Sequence, residues 1–295
     1  MLGRTVWCSR SYDKEADMTG SAKAPCALIT GASTGLGVEF ARQLAKRGYD
    51  VVLVARRRER LEAIAGELRA QGAQAFTIVA DLSAPNAAHA LLGEVDRMGL
   101  EPDLLVNNAG TGLYGSATDL PPEAVETMLR LNVVTLTQLA LALGRRMAER
   151  GFGEIINVSS TASFQPDPWL AAYGASKAYV TSFSLALAEE LGPRGVRVLT
   201  HCPGLTRTEF NEVAGVRAAR DANWMYMSPE ACVAAALGGI DRRRRFVVPG
   251  VFNRVVAFIA RRAPLLLLTR INAWLLAPAA GATSAPHRLG RPPLS

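Results

Sequence analysis

Short apolar runs alternate with amphipathic stretches along most of the chain, from about residue 26 onwards. Each run is too short for a buried helix and is rich in Val, Ile or Leu, which is typical of parallel strands covered on both faces. The runs occupy residues 27–29, 51–54, 76–79, 104–106, 155–158, 196–200 and 246–248. The stretches between them have helical periodicity, and two of them end at Gly48 and Gly72, which suit helix C-caps. The pattern predicts an α/β fold with a doubly wound sheet of about seven parallel strands flanked by helices.

Composition and charge exclude several classes of protein. The 295 residues are 49% hydrophobic and 20% charged, which is ordinary for a globular chain with a large core. The four cysteines form no CxxC pair and the three histidines are widely spaced, so no metal site is predicted and a reducing, cytoplasmic environment is expected. The net charge of +7 comes from short basic runs without interleaved aromatic residues, which argues against nucleic-acid binding.

The stretch TGASTGLG, residues 30–37, lies between the first predicted strand and the first predicted helix. Glycines allow unusual backbone angles there and leave no side chain in the way of a ligand. The helix that follows offers unpaired N–H groups and the positive end of its dipole, which suit a pyrophosphate. The context of strand, turn and helix predicts a dinucleotide site. Its residues are Gly31, Ser33, Thr34, Gly35, Leu36 and Gly37.

The end of the second strand favours NADP(H), with NAD(H) as the alternative. A protein that selects NAD usually has a carboxylate there for the ribose 2′-hydroxyl, but this chain has Ala55 followed by Arg56. Arginine binds phosphate with directional hydrogen bonds. The alternative is that Arg56, Arg57 and Arg58 are the solvated start of a helix, an interpretation that explains Arg57 and Arg58 well.

Asp81 and Leu82 follow the third predicted strand. They are expected to meet the adenine edge of the dinucleotide. The alternative for Asp81 is a cap for a helix that begins near Ala84.

Tyr173 and Lys177 lie four residues apart in a run of small residues, AAYGASKA. On a helix they share one face, and the small neighbours would let another molecule approach closely. Taken alone, the stretch is equally well explained as a surface helix with an incidental pair.

Six motifs occur in one order along residues 25–210: TGASTGLG, NNAG at 107–110, Asn132, NVSS at 157–160, YGASK at 173–177 and PGLTRT at 203–208. In this the chain resembles the short-chain dehydrogenase/reductase family, in particular its ketoacyl and steroid-like reductase branch. The resemblance implies an NAD(P)-dependent oxidoreductase with a single Rossmann domain over residues 24–250. Residues 1–23, which lack the apolar core of a signal peptide, are predicted to be a disordered extension, with Met18 as an alternative start.

The resemblance also assigns roles to residues. Tyr173 matches the catalytic acid or base, Lys177 its activating partner and Ser160 the catalytic serine, 13 residues before the tyrosine. Asn132 matches the fourth catalytic residue. The matched cofactor-binding positions are Asn108, Ala109, Gly110, Tyr173, Lys177, Pro203, Gly204 and Thr208.

These residues are expected to reduce a ketone or aldehyde, or to oxidise the alcohol. A nearby ammonium group is expected to lower the pKa of the Tyr173 phenol from its usual value of about 10. The rivals are an NAD-linked alcohol or hydroxysteroid dehydrogenase and a non-catalytic dinucleotide sensor that regulates a partner.

Two segments are expected to determine the substrate and the partners. Residues 161–172 and the region after about residue 205 supply aromatic and aliphatic side chains, which suggest a mobile lid over an apolar, lipid-like or 3-oxoacyl substrate. Residues 251–295 are predicted to form apolar amphipathic helices and a disordered tail. The helices are expected to lie on a membrane, cover the pocket or form a subunit contact. The resemblance also implies a homodimer or homotetramer, assembled through the long helices at 122–150 and 173–191.

Overall fold

The computed structural model describes residues 24–207 and 226–277. Its centre is a seven-stranded, wholly parallel sheet with the strand order β3-β2-β1-β4-β5-β6-β7. The strands are β1 (Cys26–Thr30), β2 (Asp50–Ala55), β3 (Ala75–Val79), β4 (Leu104–Asn107), β5 (Gly153–Val158), β6 (Val196–His201) and β7 (Phe246–Val247). The predicted doubly wound α/β fold is therefore confirmed, and each apolar run lies on a strand.

Helices cover both faces of the sheet. They are α1 (Gly35–Lys46), α2 (Arg58–Ala70), α3 (Ala87–Arg97), α4 (Pro122–Leu129), α5 (Leu136–Arg150), α6 (Ala171–Leu191), α7 (Pro229–Asp241), α8 (Val251–Ala260) and α9 (Leu265–Leu275). Gly48 and Gly72 follow α1 and α2 with φ of +84° and +89°. Glycine adopts this left-handed conformation without steric cost, which explains why both helices end there.

Three predicted helix boundaries need correction. The helix after Asp81 begins at Ala87 rather than near Ala84, because residues 82–86 form turns. The helix that carries Tyr173 begins two residues earlier, at Ala171. The predicted single helix 122–150 is interrupted by a π-helical turn, Arg130–Thr135.

The order of the strands determines where a ligand can bind. β1 pairs with both β2 and β4, so the chain winds outwards in opposite directions from β1. At such a switch point the loops after the two strands separate and leave a crevice at the carboxyl edge of the sheet. The predicted glycine loop follows β1 and the NNAG turn follows β4, so both lie at this crevice.

Apolar side chains fill the space between the sheet and each layer of helices. One core includes Phe40, Leu61 and Leu237 from α1, α2 and α7, and the other includes Leu91, Leu143 and Leu187 from α3, α5 and α6. Burial of these side chains is the main force that holds the helices against the sheet.

One helical stretch among the described residues, Pro122–Arg150, is long and apolar enough to cross a membrane by length and composition. Within its apolar window 44% is buried inside the molecule, as in a core helix of a globular protein. Residues 1–23, Thr208, most of the predicted lid and the tail after residue 277 lie outside the described residues.

Candidate functional site

The glycine loop forms a backbone cradle at the carboxyl end of β1. Gly31 and Gly35 have φ of +67° and +53°, values that other residues rarely adopt. A Cβ atom on Gly37 would lie 2.1 Å from the carbonyl oxygen of Gly31, so the first turn of α1 packs directly against the loop. Glycine is thus required by the backbone itself, and the amino end of α1 is left open for a phosphate. The residues present fit a dinucleotide.

Thr30 and Asn108 connect the glycine loop to the NNAG turn. The Thr30 hydroxyl accepts hydrogen bonds from the backbone N–H groups of Asn108 and Ala109, each at 3.0 Å. The Asn108 side chain donates to the carbonyl oxygens of Thr30 and Gly31, at 2.9 and 3.3 Å. These bonds fix both sides of the crevice. Asn108 therefore positions backbone rather than pointing its amide into open space.

Tyr173 is buried at the start of α6, with 8% of its surface exposed. Burial raises the pKa of its phenol to about 12, and a hydrogen bond with the Ser160 side chain offsets part of that shift. The expectation of a lowered pKa for the Tyr173 phenol is therefore wrong. Burial disfavours the charged phenolate more than the hydrogen bond with Ser160 stabilises it. Near neutral pH the phenol holds its proton.

Ser160 both faces Tyr173 and caps a turn. Its hydroxyl accepts a hydrogen bond of 3.1 Å from the backbone N–H of Ala162. Its neighbour Ser159 instead bonds the Lys177 carbonyl oxygen at 2.9 Å and the Thr181 hydroxyl at 2.7 Å. Of the two serines that end β5, Ser160 is the one with a side chain near the phenol.

Lys177 lies one helical turn after Tyr173 and is 4% exposed. Its ammonium group donates to the Val158 carbonyl oxygen at 2.9 Å and lies 5.9 Å from the centre of the Tyr173 ring. Burial lowers the pKa of this amine to about 8. A Cβ on Gly110 would come within 3.3 Å of the amine nitrogen, so the small residue leaves room for it beside the NNAG turn.

Asn132 lies in the π-helical turn and is fully buried. Its side chain accepts from the Thr111 N–H at 3.0 Å and donates to the Thr111 carbonyl oxygen at 2.9 Å and the Ser176 hydroxyl at 3.1 Å. π-Turns often occur at functional sites, where they change the direction of a side chain. Here the turn lets Asn132 connect the loop after β4 with α6.

One of the arginines after β2 contacts the glycine loop, and it is Arg57 rather than Arg56, which the sequence favoured. Arg56 is exposed at the end of β2. Arg57, which was well explained as solvated, donates to the Ser33 hydroxyl at 3.4 Å. Beside them lies a cleft of about 480 Å³. Its lining includes Ser33, Thr34, Gly35, Arg42, Arg60 and Arg207. Glu39 and Glu230 also line this cleft, so side chains of both charges lie beside the loop.

The other predicted cofactor residues lie along the same edge. The Asp81 carboxylate accepts from the Ser83 N–H and hydroxyl, at 2.9 and 2.6 Å, so it stabilises a turn rather than the start of α3. Leu82 is buried. Pro203 bonds Thr161 through its carbonyl oxygen, and a Cβ on Gly204 would clash with Asn253 at 2.4 Å.

Apolar side chains pack against Tyr173. Leu113 and Met128 are buried in contact with it, and Leu170 and Ala162 pack against the same cluster. Phe164, in the segment before α6, packs against Phe246, with 5.7 Å between ring centres. The Tyr173 ring therefore packs against aliphatic side chains, while its hydroxyl forms a hydrogen bond with Ser160.

Asp167 is a buried acid beside Tyr173 that the sequence analysis missed. Its carboxylate accepts from Gln165 at 3.2 Å and from Asn272, on α9, at 2.9 Å. Burial raises the pKa of this carboxyl to about 6. Only the fold places Asn272 next to Asp167, across 105 residues, so no local pattern could have shown the pair.

The model of the short chain dehydrogenase family matches residues 25–217, so this chain belongs to that family. Members of this family are oxidoreductases that use NAD(P) and act on alcohols or the corresponding carbonyl compounds. The family explains why Tyr173, Lys177 and the glycine loop lie at one edge of the sheet.

Three comparisons refine the likeness. A very-long-chain 3-oxoacyl-CoA reductase from Anas platyrhynchos is 31% identical over 255 residues, which cover 83% of this chain and 79% of that protein. Probable oxidoreductase EphD from Mycobacterium tuberculosis is 36% identical over 191 residues, or 64% of this chain, and the chain matches 32% of that protein's length. The solved structure of a short-chain dehydrogenase from Sphingobium yanoikuyae in complex with NADPH has a TM-score of 0.73 and 35% identity, with 88% of this chain and 99% of that chain covered.

Proposed function

We propose that the protein is an NADPH-dependent reductase of an apolar, lipid-like ketone of the 3-oxoacyl kind. The observation that carries the proposal is the group formed by Ser160, Tyr173 and Lys177 at the carboxyl edge of the sheet, next to the glycine loop. Asn132 joins this group through Ser176. A hydroxyl, a phenol and an ammonium group in such an arrangement suit proton transfer to a carbonyl oxygen.

Arg56 and Arg57 support NADPH as the cofactor. Neither Ala55 nor the two residues after it carries the carboxylate that would select NAD. A 2′-phosphate would meet the guanidinium groups, which bind phosphate more strongly than a neutral hydroxyl. The NADPH complex of the Sphingobium yanoikuyae relative supports the same choice.

The remaining cofactor contacts follow the crevice. The glycine loop would bind the pyrophosphate with its backbone N–H groups, and Lys177 would bind ribose hydroxyls. When bound, NADPH supplies the hydride for the reduction. The other residues proposed for the site are Asp81, Leu82, Asn108, Ala109, Gly110, Pro203, Gly204 and Thr208, the last of which lies outside the described residues.

The pKa values favour reduction near neutral pH. With its pKa raised to about 12, Tyr173 is protonated and can donate to the oxygen of a carbonyl that becomes an alkoxide. Lys177, with a pKa lowered to about 8, is mostly an ammonium at neutral pH and stabilises the phenolate that remains. Ser160 would donate a hydrogen bond to the same substrate oxygen as charge develops there.

The substrate class follows from the aliphatic surroundings of Tyr173. Leu113, Met128 and Leu170 offer no hydrogen-bonding group to a polar substrate. The Anas platyrhynchos relative is described as acting on very long 3-oxoacyl chains, which have a ketone beside an apolar chain. The same chemistry fits this site.

An NADPH-oxidation assay tests the proposal with 3-oxoacyl esters of increasing chain length. We expect turnover that rises with chain length and a preference for NADPH over NADH. Arg56→Ala should weaken NADPH binding by about tenfold to a hundredfold, since a hydrogen bond to a charged group contributes about 1.5–3 kcal/mol. The affinity for NADH should change little.

Arg97→Ala is the matched control, because it removes an exposed arginine from the end of α3, away from the glycine loop. If Arg56→Ala lost affinity for NADPH and NADH equally, the cofactor assignment would be contradicted. Turnover of short polar aldehydes alone would contradict the substrate class. Tight cofactor binding without any turnover would support a sensor instead.

We also propose that the protein is a homodimer or homotetramer in the cytoplasm. Tyr179 on α6 and Leu141 on α5 are 41% and 50% exposed, so both helices carry apolar surface that a second copy could cover. Cys202 and Cys232 form no disulfide, as expected in a reducing compartment. Light scattering during size-exclusion chromatography measures the oligomer directly, and a monomer at micromolar concentration would contradict it.

A further inference from the structure

The two helices after β7 expose their large apolar residues to solvent and bury small or polar residues against the protein. We call residues 251–275, which contain α8 and α9, the C-terminal hairpin. α8 buries Asn253, Ala257 and Ala260, and α9 buries Asn272. Their large apolar residues point outwards. A helix that docks on a protein core normally does the opposite, with polar residues in solvent.

The exposed apolar surface is concentrated in this hairpin. It carries more than half of the large apolar side chains that the described residues leave exposed. Leu266 and Trp274 are 78% and 79% exposed, and Val251 and Leu275 are 68% and 62% exposed. Contiguous apolar patches of this kind are rare on proteins that have no partner and mark interaction surfaces.

The charge of the hairpin has a single sign. Arg254, Arg261, Arg262 and Arg270 are exposed, and residues 242–277 include no Asp or Glu. Within residues 24–207 and 226–277, none of these four arginines forms an ion pair with a carboxylate. Arg262 lies 3.8 Å above the ring of Phe258 instead. The surface is therefore complementary to an apolar layer with negative charge at its boundary.

The hairpin is too short to cross a bilayer. Its helices have 10 and 11 residues, so each is about 15 Å long, about half the thickness of the hydrocarbon core. Pro264 separates them and prevents one continuous helix. Such helices can lie in the plane of the interface, with apolar side chains below the headgroups and arginines at their level.

We propose that the C-terminal hairpin docks the protein on an anionic lipid surface. A second copy of the chain is the less favourable occupant. In a two-fold interface the same patch meets itself, so the four arginines would face four identical arginines without an acid to neutralise them. Anionic headgroups supply that neutralisation, and the acyl region accepts Leu266 and Trp274.

The buried side of the hairpin contacts the loop that precedes α6. Asn272 donates to the Asp167 carboxylate, and the Trp169 indole donates to the Ala273 carbonyl oxygen at 3.4 Å. The Tyr114 hydroxyl donates to the Leu276 carbonyl oxygen. Docking would therefore bring the loop that precedes α6, which carries Tyr173, towards the membrane. This consequence rests on the proposed function, whereas docking itself does not.

Vesicle flotation with the full chain tests the docking. We expect the protein to float with vesicles of phosphatidylcholine containing a quarter phosphatidylglycerol, and much less with phosphatidylcholine alone or at high salt. Leu266→Ser with Trp274→Ser should weaken binding about a hundredfold, as expected from the loss of two buried apolar side chains. Arg270→Gln should weaken it about fivefold, consistent with one charge at an anionic surface.

Met98→Ser is the control, because it removes an apolar side chain that is exposed at the end of α3. It should leave flotation unchanged, and circular dichroism should show that every variant is folded. Failure of the wild-type chain to float with anionic vesicles would overturn the proposal. Normal flotation of the Leu266→Ser and Trp274→Ser double variant would also overturn it. A wild-type dimer that does not bind vesicles, together with a monomeric double variant, would show that a second copy covers the hairpin instead. Because flotation needs no cofactor, these outcomes do not depend on catalysis.

Discussion

Replacing Asp167 with Asn should stabilise the protein at alkaline pH. The carboxyl is 6% exposed, and burial raises its pKa from 3.8 to about 6. Its partners, Gln165 and Asn272, donate through amide groups that an Asn oxygen accepts equally well. The substitution thus removes a poorly solvated charge and keeps the shape and the hydrogen bonds.

The size and pH dependence of the effect follow from the pKa of Asp167. A shift of about two units at about 1.4 kcal/mol each means that ionisation costs the folded state about 3 kcal/mol. Below about pH 4 the carboxyl is protonated in both states, so there is no cost. As pH rises from about 4 to about 6 the unfolded chain loses the proton first, and stability falls. Above about pH 6 the cost is complete.

Urea unfolding monitored by tryptophan fluorescence measures the gain. Asp167→Asn should be more stable than wild type by about 3 kcal/mol near pH 8 and by about half of that near pH 5. Asp119→Asn, at an exposed acid, is the control and should change stability little at either pH. An Asp167→Asn protein that is no more stable than wild type near pH 8 would show that the ionised Asp167 carboxylate does not destabilise the folded state.

Two further predictions concern the loop and the thiols. Gly37→Ala should abolish dinucleotide binding and destabilise the fold, because its Cβ would lie 2.1 Å from the Gly31 carbonyl oxygen. A tryptophan-fluorescence titration with NADPH measures this binding. Gly66→Ala, with no atom near its Cβ, should bind NADPH normally in the same titration. Normal binding by Gly37→Ala would show that the loop differs from the described one. Burial raises the pKa of Cys202 and Cys232 to about 11 and about 12, so neither thiol should react with a thiol reagent until urea unfolds the chain. Mass spectrometry after labelling checks this, and rapid labelling of Cys202 in the native protein would contradict it.

The sequence predicted the strands well because parallel strands are buried on both faces. The run 51–54, for example, lies inside β2, whose residues from Val51 to Ala55 are all buried. Local patterns of this kind need no knowledge of distant residues. The glycine loop was visible for the same reason, since a strand, a glycine-rich turn and a helix follow one another along the chain.

Features that depend on distant contacts could not be predicted. Asp167 has its raised pKa because the fold buries it beside Asn272, and nothing near residue 167 indicates that. The Tyr173 pKa was predicted with the wrong sign, because a lysine one turn away was visible in the sequence and the degree of burial was not. The sequence predicted amphipathic helices in α8 and α9, but it left open whether their apolar faces meet a membrane, the pocket or a second subunit, because burial depends on the fold.

The roles of Ser160, Asn132 and Lys177 remain predictions, although the fold brings their side chains together around Tyr173. Asn132 illustrates the difficulty. Its three hydrogen bonds to Thr111 and Ser176 would explain its burial even without a catalytic role. Only a change in reaction chemistry separates positioning from packing at such a residue.

The role of Tyr173 as proton donor is tested most directly by comparing the turnover of Tyr173→Phe with its affinity for NADPH. The substitution removes one oxygen atom from a buried ring, so the aliphatic cluster around it should persist. We expect NADPH affinity within about threefold of wild type and a loss of NADPH oxidation of about a thousandfold or more, as for removal of a general acid that also orients the substrate. Turnover close to wild type in Tyr173→Phe would contradict the central claim that this phenol supplies the proton.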